Sequence, residues 1–143
     1  MASSADYILF HDNDANRFQL NLFGSEISLR QRPDARNLGH GAVVWEASVI
    51  FAKFMEYNSK KFQHEQLLGK TVIELGSGCG LGGIAYMMRG AEVILTDLEV
   101  VVDTLTRPNA NVRCMCVLKY FYFNICTIIM NSHIHRNRRF TAL

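Results

Sequence analysis

Residues 71–97, TVIELGSGCGLGGIAYMMRGAEVILTD, decide the fold, because the stretch reads as strand, glycine loop, helix and second strand ending in a carboxylate. Thr71, Val72, Ile73 and Leu75 form a short, largely β-branched apolar run between Gly69 and Gly76, the pattern of a buried strand in a parallel sheet. Glu74 interrupts it near the end. A carboxylate is costly to bury without a partner, so Glu74 is predicted at the strand tip, where open α/β sheets form their ligand crevice. Gly76, Gly78 and Gly80 allow the backbone to turn sharply and approach a ligand with no Cβ in the way. Leu81, Ile84, Ala85 and Met88 then fall at helical spacing, and Gly90 stands where a helix end favours a left-handed residue. The free N–H groups of that helix point back at the loop.

Ala91–Thr96 is a second apolar strand, with Asp97 just past its end. A right-handed crossover sets the two strand tips side by side. Asp97 then faces the loop's ligand with two acceptor oxygens, matched to the paired hydroxyls of a ribose. This is half of a nucleotide-binding unit. The bland alternative, glycines that serve only folding and an acid that only caps a helix, requires three glycines and a correctly spaced carboxylate to coincide.

Two ligands compete for such a unit. Gly78, Gly80 and Gly83 also satisfy the G-x-G-x-x-G pattern of dinucleotide enzymes, which would make the chain an NAD-dependent oxidoreductase fragment. The register argues otherwise, because Glu74 precedes the first glycine and the glycines begin directly at the strand end. A diphosphate prefers a loop free of negative charge, whereas a ligand with a cationic amino group and a sulfonium is drawn to one. S-adenosylmethionine is such a ligand.

Glu74-Leu75-Gly76-Ser77-Gly78-Cys79-Gly80 followed by Thr96-Asp97-Leu98, with Val43-Val44-Trp45-Glu46-Ala47 upstream, resembles the seven-strand class I methyltransferases. Within them the likeness is to the family-16 protein-lysine methyltransferases of the methyltransferase-like 21 type, over roughly residues 18–112. It implies a Rossmann-like α/β sheet, here its N-terminal part with an added β-hairpin, and methyl transfer from S-adenosylmethionine to a lysine amine of a protein. It also implies cofactor roles: Gly76, Ser77 and Gly78 at the methionine end, Asp97 on the ribose, Trp45 as a pocket wall, and Glu74 orienting the loop or the amino group. Glu46 departs from the aspartate usual beside that tryptophan. No residue is identified as binding or deprotonating the lysine.

The 143 residues are enough for one domain with a real core, though short for this fold. About half are apolar and a fifth charged, and a net charge of +2 points to no nucleic-acid or membrane partner. No signal peptide or myristoylation pattern is visible at the N-terminus. Cys79, Cys114, Cys116 and Cys126 read as free thiols of a reducing compartment, so a cytoplasmic location is expected, with the nucleus also open. Cys114, Cys116 and Cys126 together with His133 and His135 match no common zinc spacing, and no metal is expected.

Residues 1–16 read as a flexible arm, 17–112 as the methyltransferase portion and 113–143 as a divergent tail, apolar and then basic. Phe18, Leu20 and Leu22 alternate with polar residues, and after a break at 23–26 Ile27 and Leu29 resume the alternation, which predicts a hairpin with one apolar face. Residues 31–41 form a loop. A helix is predicted from Val44 to about Tyr57, burying a stripe of Ala47, Ile50, Phe51, Phe54 and Met55. Residues 58–69 read as a polar connection, with His64 on a solvated face, and Glu99–Thr106 as a short helix stopped by Pro108.

After Arg113 the family pattern is lost. No tryptophan-glycine segment and no D-x-x-Y follow Asp97, so the acceptor site is missing and the chain reads as a truncated, cofactor-binding but catalytically incomplete form. The first strand is then left as an open apolar edge, inviting pairing with the tail, a partner or another copy. Residues 114–130 are β-prone and prone to aggregation, and too short and interrupted to span a membrane. An interaction module working through this tail is the reading from another class.

Overall fold

The computed structural model describes residues 14–110 together with the backbone of Val117–Tyr120 and Phe140–Ala142. The expectations for residues 1–13, most of the 114–130 run and the histidine-containing basic end fall outside the described residues.

Strands β1 (Arg17–Leu22) and β2 (Ser25–Arg30) pair antiparallel. The turn is only Phe23-Gly24, and both residues have positive φ (51° and 74°), as a two-residue hairpin turn of matching twist requires. A phenylalanine is strained there, and its neighbours hold it. Its N–H donates to Glu56 Oε1 at 2.6 Å, and the Arg89 guanidinium lies 4.9 Å from its ring centroid. Phe18, Leu20, Leu22 and Leu29 are buried, so the predicted apolar face is present.

Helix α1 (Glu46–Tyr57) begins two residues later than the spacing suggested, because Trp45 is extended (ψ 145°) at its N-cap. It buries only part of the expected stripe: Met55 is fully buried and Phe51 packs against the core, as expected. Val49, Ala52 and Met55 face the core, whereas Ile50 is 67 % and Phe54 49 % exposed. The helix is apolar on more than one face, so two stripes satisfy a three-and-four spacing and periodicity cannot choose between them. A short helix α2 (His64–Leu67) lies within the predicted polar connection.

Strand β3 (Thr71–Leu75), helix α3 (Leu81–Met88) and strand β4 (Glu92–Asp97) form the expected parallel unit. Leu75, read as part of the buried run, is half exposed at the strand tip. Helix α3 ends as Gly90 (φ 89°) predicts: the Gly90 and Ala91 amides donate back to the Met87 and Tyr86 carbonyls. Gly83 permits tight helix-on-sheet packing, since a Cβ there would lie 2.2 Å from Leu95 Cδ2.

Beyond β4 the fold departs from the sequence pattern in two places. Helix α4 (Glu99–Val101) does not stop before Pro108; it runs through a π turn (Val102–Thr106) into α5 (Arg107–Ala110). The Arg107 N–H reaches back five residues to the Val102 carbonyl, and Pro108, which has no N–H to offer, then sits in the first turn of α5, where none is needed. The sheet also extends into the segment read as a divergent tail. Strands β5 (Val117–Tyr120) and β6 (Phe140–Ala142) give the all-parallel order β5-β4-β3-β6. The β3 edge predicted to be open is therefore paired over Thr71–Ile73. Among the described residues, no helix is long and apolar enough to cross a membrane.

Candidate functional site

The site is built at the tips of β3 and β4. Gly76, Gly78 and Gly80 all have positive φ (66°, 52° and 86°), so each needs the freedom that only glycine has at low cost. The Ser77 amide donates to the Thr96 carbonyl at 2.9 Å, tying the loop to β4, and the Gly80 amide closes the turn on the Ser77 carbonyl at 2.7 Å.

Asp97 reaches across from the neighbouring strand. Its Oδ2 accepts the Gly78 N–H at 2.7 Å and its Oδ1 the Leu98 N–H at 2.7 Å. Each oxygen keeps acceptor capacity for a further donor. Ser77 Oγ is buried and has no hydrogen-bond partner among the described residues, as is also true of Thr71 Oγ1 at the far end of β3. Glycines in left-handed conformation, an orphaned hydroxyl and a half-buried carboxylate form a donor and acceptor set that fits the hydroxyls and amino acid end of a nucleoside such as S-adenosylmethionine.

Glu74 takes another direction. Its Oε2 accepts the Gly83 N–H at 2.7 Å in the first turn of α3, so it satisfies a free helix amide instead of opening onto the crevice. A Cβ on Gly82 would come within 2.6 Å of Oε1 and one on Gly83 within 2.8 Å of Oε2, so both glycines make room for this carboxylate. Burial pushes its pKa up from 4.5 to about 7; the Gly83 bond opposes this, and the negative charge of Asp97 adds to it. Among the described residues, the hydrogen bond of this carboxylate goes to the start of α3 and not to the 76–80 loop.

Cys79 in the same loop is buried. Burial, and then the charge of Asp97, push its thiol up to about 12, and Sγ lies 3.8 Å from the Gly41 carbonyl.

Trp45 is not gathered in with the others. It is 54 % exposed, its Nε1 donates to the His40 carbonyl at 2.6 Å, and its ring leans on that of His40. It lines a shallow hollow with Val43, Val44, Glu46, Ala47 and Ile50, which includes neither the glycine loop nor Asp97. The link between the two places is Gly41, whose Cα would sit 3.6 Å from a Cβ on Gly78.

Two residues escaped the sequence reading. Thr106 Oγ1 donates to the Gly78 carbonyl at 2.7 Å, and Asn109 Nδ2 to the Cys79 carbonyl at 2.9 Å. Both come from the helical segment after Asp97. The available signal was a threonine and an asparagine three residues apart amid Leu105 and Ala110, polar positions on a face otherwise suited to the core.

The model of a family described as lysine methyltransferase matches residues 24–116. Protein N-lysine methyltransferase METTL21A of Danio rerio is 42% identical over 78 residues, which are 54% of this chain and 34% of that protein. EEF1A lysine methyltransferase 3 of Xenopus tropicalis is 37% identical over 105 residues, 73% of this chain and 44% of that protein. The chain therefore spans between about a third and somewhat under half of the length of these curated relatives. Among solved structures, the T. thermophilus 16S rRNA methyltransferase RsmC, in complex with AdoMet and guanosine, matches with a TM-score of 0.50 at 22% identity, covering 73% of this chain and 26% of that one. At that identity the likeness concerns the fold.

Proposed function

This chain belongs to the lysine methyltransferase family, and on that premise we propose that it binds S-adenosylmethionine at the tips of β3 and β4 as the cofactor-holding part of that family's reaction, methyl transfer to a lysine amine of a protein, with no residue among those described assigned to the lysine. The observation that carries the proposal is the Asp97 carboxylate on the Gly78 amide, at 2.7 Å, beside a buried hydroxyl with no partner among the described residues.

S-adenosylmethionine, when bound, supplies an electrophilic methyl on a sulfonium. Asp97 takes the ribose hydroxyls on its remaining lone pairs. Gly76 and Gly78 bring the backbone close to the methionine end, and Ser77 Oγ offers it a hydrogen bond. Glu74 holds the start of α3 against the loop, and Trp45 forms the outer rim beyond Gly41. A dinucleotide fits less well, because Glu74 already occupies the α3 N-terminus where a diphosphate would bind. The acceptor is a protein lysine, by analogy with the relatives, and the expected location is the cytoplasm.

Calorimetric titration with S-adenosylmethionine and, separately, NAD tests this reading. Binding of the former alone, weakened by about 30-fold or more in Asp97→Ala, is expected from the loss of charge-assisted hydrogen bonds. Equal heats from wild type and variant would defeat the site assignment, and tighter binding of NAD would defeat the cofactor. Tritium from labelled cofactor appearing on lysines of a lysate would demonstrate the transfer.

A further inference from the structure

The glycine loop is gripped on two sides. On one side Asp97 holds the Gly78 N–H; on the other, Thr106 Oγ1 holds the carbonyl of the same residue at 2.7 Å, and Asn109 Nδ2 the carbonyl of the next at 2.9 Å. Both side chains are deeply buried, Thr106 fully so. In a trans peptide the carbonyl and the following N–H point in opposite directions. By fixing the Gly78 carbonyl, Thr106 thus turns the Cys79 N–H away from the helix. By fixing the Cys79 carbonyl, Asn109 turns the Gly80 N–H, which closes on Ser77. Glycine peptides reorient at little cost, so hydrogen bonds decide which way they face.

Asn109 does more than hold the loop. Its Oδ1 accepts the Arg30 N–H at 2.7 Å and its Nδ2 donates to the Arg30 carbonyl at 3.0 Å, so the amide joins the end of β2 to the loop with both donors in use. Thr106 closes the π turn and Asn109 follows three residues later, so the two side chains share the helix face turned to the loop.

We propose that Thr106 and Asn109 are positioning residues of the cofactor site: they touch no ligand themselves, and they hold the 78–80 peptides in the orientation that presents the loop to it. The proposal rests on the S-adenosylmethionine reading above. An aspartate at 109 would set a charge against two carbonyls, and an apolar residue would orphan both; a valine at 106 keeps the shape and loses the donor.

The test uses the full chain with S-adenosylmethionine as probe. Thr106→Val is expected to weaken binding about 10-fold, and Thr106→Ser, which keeps the hydroxyl, to restore it to within about 2-fold. Val102→Ala, a loss of packing in the same turn, controls for stability; it lowers the thermal midpoint and leaves the dissociation constant unchanged. Wild-type affinity in Thr106→Val, or equal weakening in Val102→Ala, overturns the proposal. Amide exchange of the 76–80 segment without ligand is read in parallel. It should accelerate in Thr106→Val and Asn109→Ala but not in Thr106→Ser, and unchanged exchange overturns the clamp. Accelerated exchange in a chain that shows no heat with S-adenosylmethionine would instead strike the cofactor reading, and with it the positioning role.

Discussion

The tips of β3 and β4 each carry a carboxylate, and each carboxylate accepts a backbone amide at 2.7 Å, yet the two acids do opposite things. Glu74 pairs in register with Leu95, and Asp97 stands two residues further out on the same face of the sheet. That difference is roughly 7 Å of strand. At the inner level Glu74 lies beneath the first turn of α3, satisfies one helix amide and is desolvated enough to hold its proton near neutrality. At the outer level Asp97 clears the helix, stays half-buried and accepts amides on both oxygens. Depth along a strand, not the kind of acid, separates the one that anchors the helix from the one that holds the loop and can meet a ligand.

The contrast breaks most visibly in the pH dependence of stability. The folded pKa of Glu74, about 7, lies above its unfolded value of 4.5, so the folded chain binds the extra proton. The resulting contribution is fully present below pH 4.5 and is lost as pH rises through about 7, on the order of 3 kcal/mol in all. Urea unfolding of wild type between pH 5 and 8 should show this decline, and Glu74→Gln should remove it, since a glutamine carbonyl still accepts from Gly83. A slope that survives in the variant would put the titration elsewhere.

The two acids should also differ in their tolerance of an amide. Only one oxygen of Glu74 accepts a hydrogen bond from the described residues, whereas both oxygens of Asp97 do. Asp97→Asn must turn an NH2 toward a backbone N–H, and a cost of about 2 kcal/mol, independent of pH, is expected in urea midpoints. If Asp97→Asn is as stable as wild type, the paired acceptance is not holding the loop.

The glycines divide in the same way. Gly83→Ala places a Cβ 2.2 Å from Leu95 Cδ2 and 2.8 Å from Glu74 Oε2, an overpacking worth roughly 1–3 kcal/mol. Gly76→Ala meets nothing within 4 Å and bears only the strain of φ 66°, about 1 kcal/mol. Thermal midpoints should rank the two in that order. The reverse ranking would mean that backbone strain in the loop, not depth under the helix, dominates.

The unit from Thr71 to Asp97 was legible because it depends on local rules. Positive φ at three glycines, a left-handed helix end at Gly90 and an acid at the end of a strand are short-range demands, each met by one kind of residue. The hairpin was legible from alternation alone. The stripe of α1 was legible only at Phe51 and Met55, because Ile50 and Phe54 satisfy the helical period as well as Val49 and Ala52, and only the neighbours settle which pair turns inward. Pro108 was read as a stop because a proline ends an α-helix of regular pitch; the π turn before it changes the pitch. Thr106 and Asn109 were overlooked since their acceptors, the Gly78 and Cys79 carbonyls, lie 28 and 30 residues away in sequence.

By itself the chain of amino acids determined that a glycine turn, a helix and an acid succeed one another at the spacing of a nucleotide-binding unit, because backbone sterics and hydrophobic period act over a few residues. Which carboxylate faces the crevice, which side of α1 is buried and which buried side chains steady the loop were decided only when distant segments packed together. Burial and hydrogen-bond partners across the sheet are properties of the assembled fold, and no single stretch carries them.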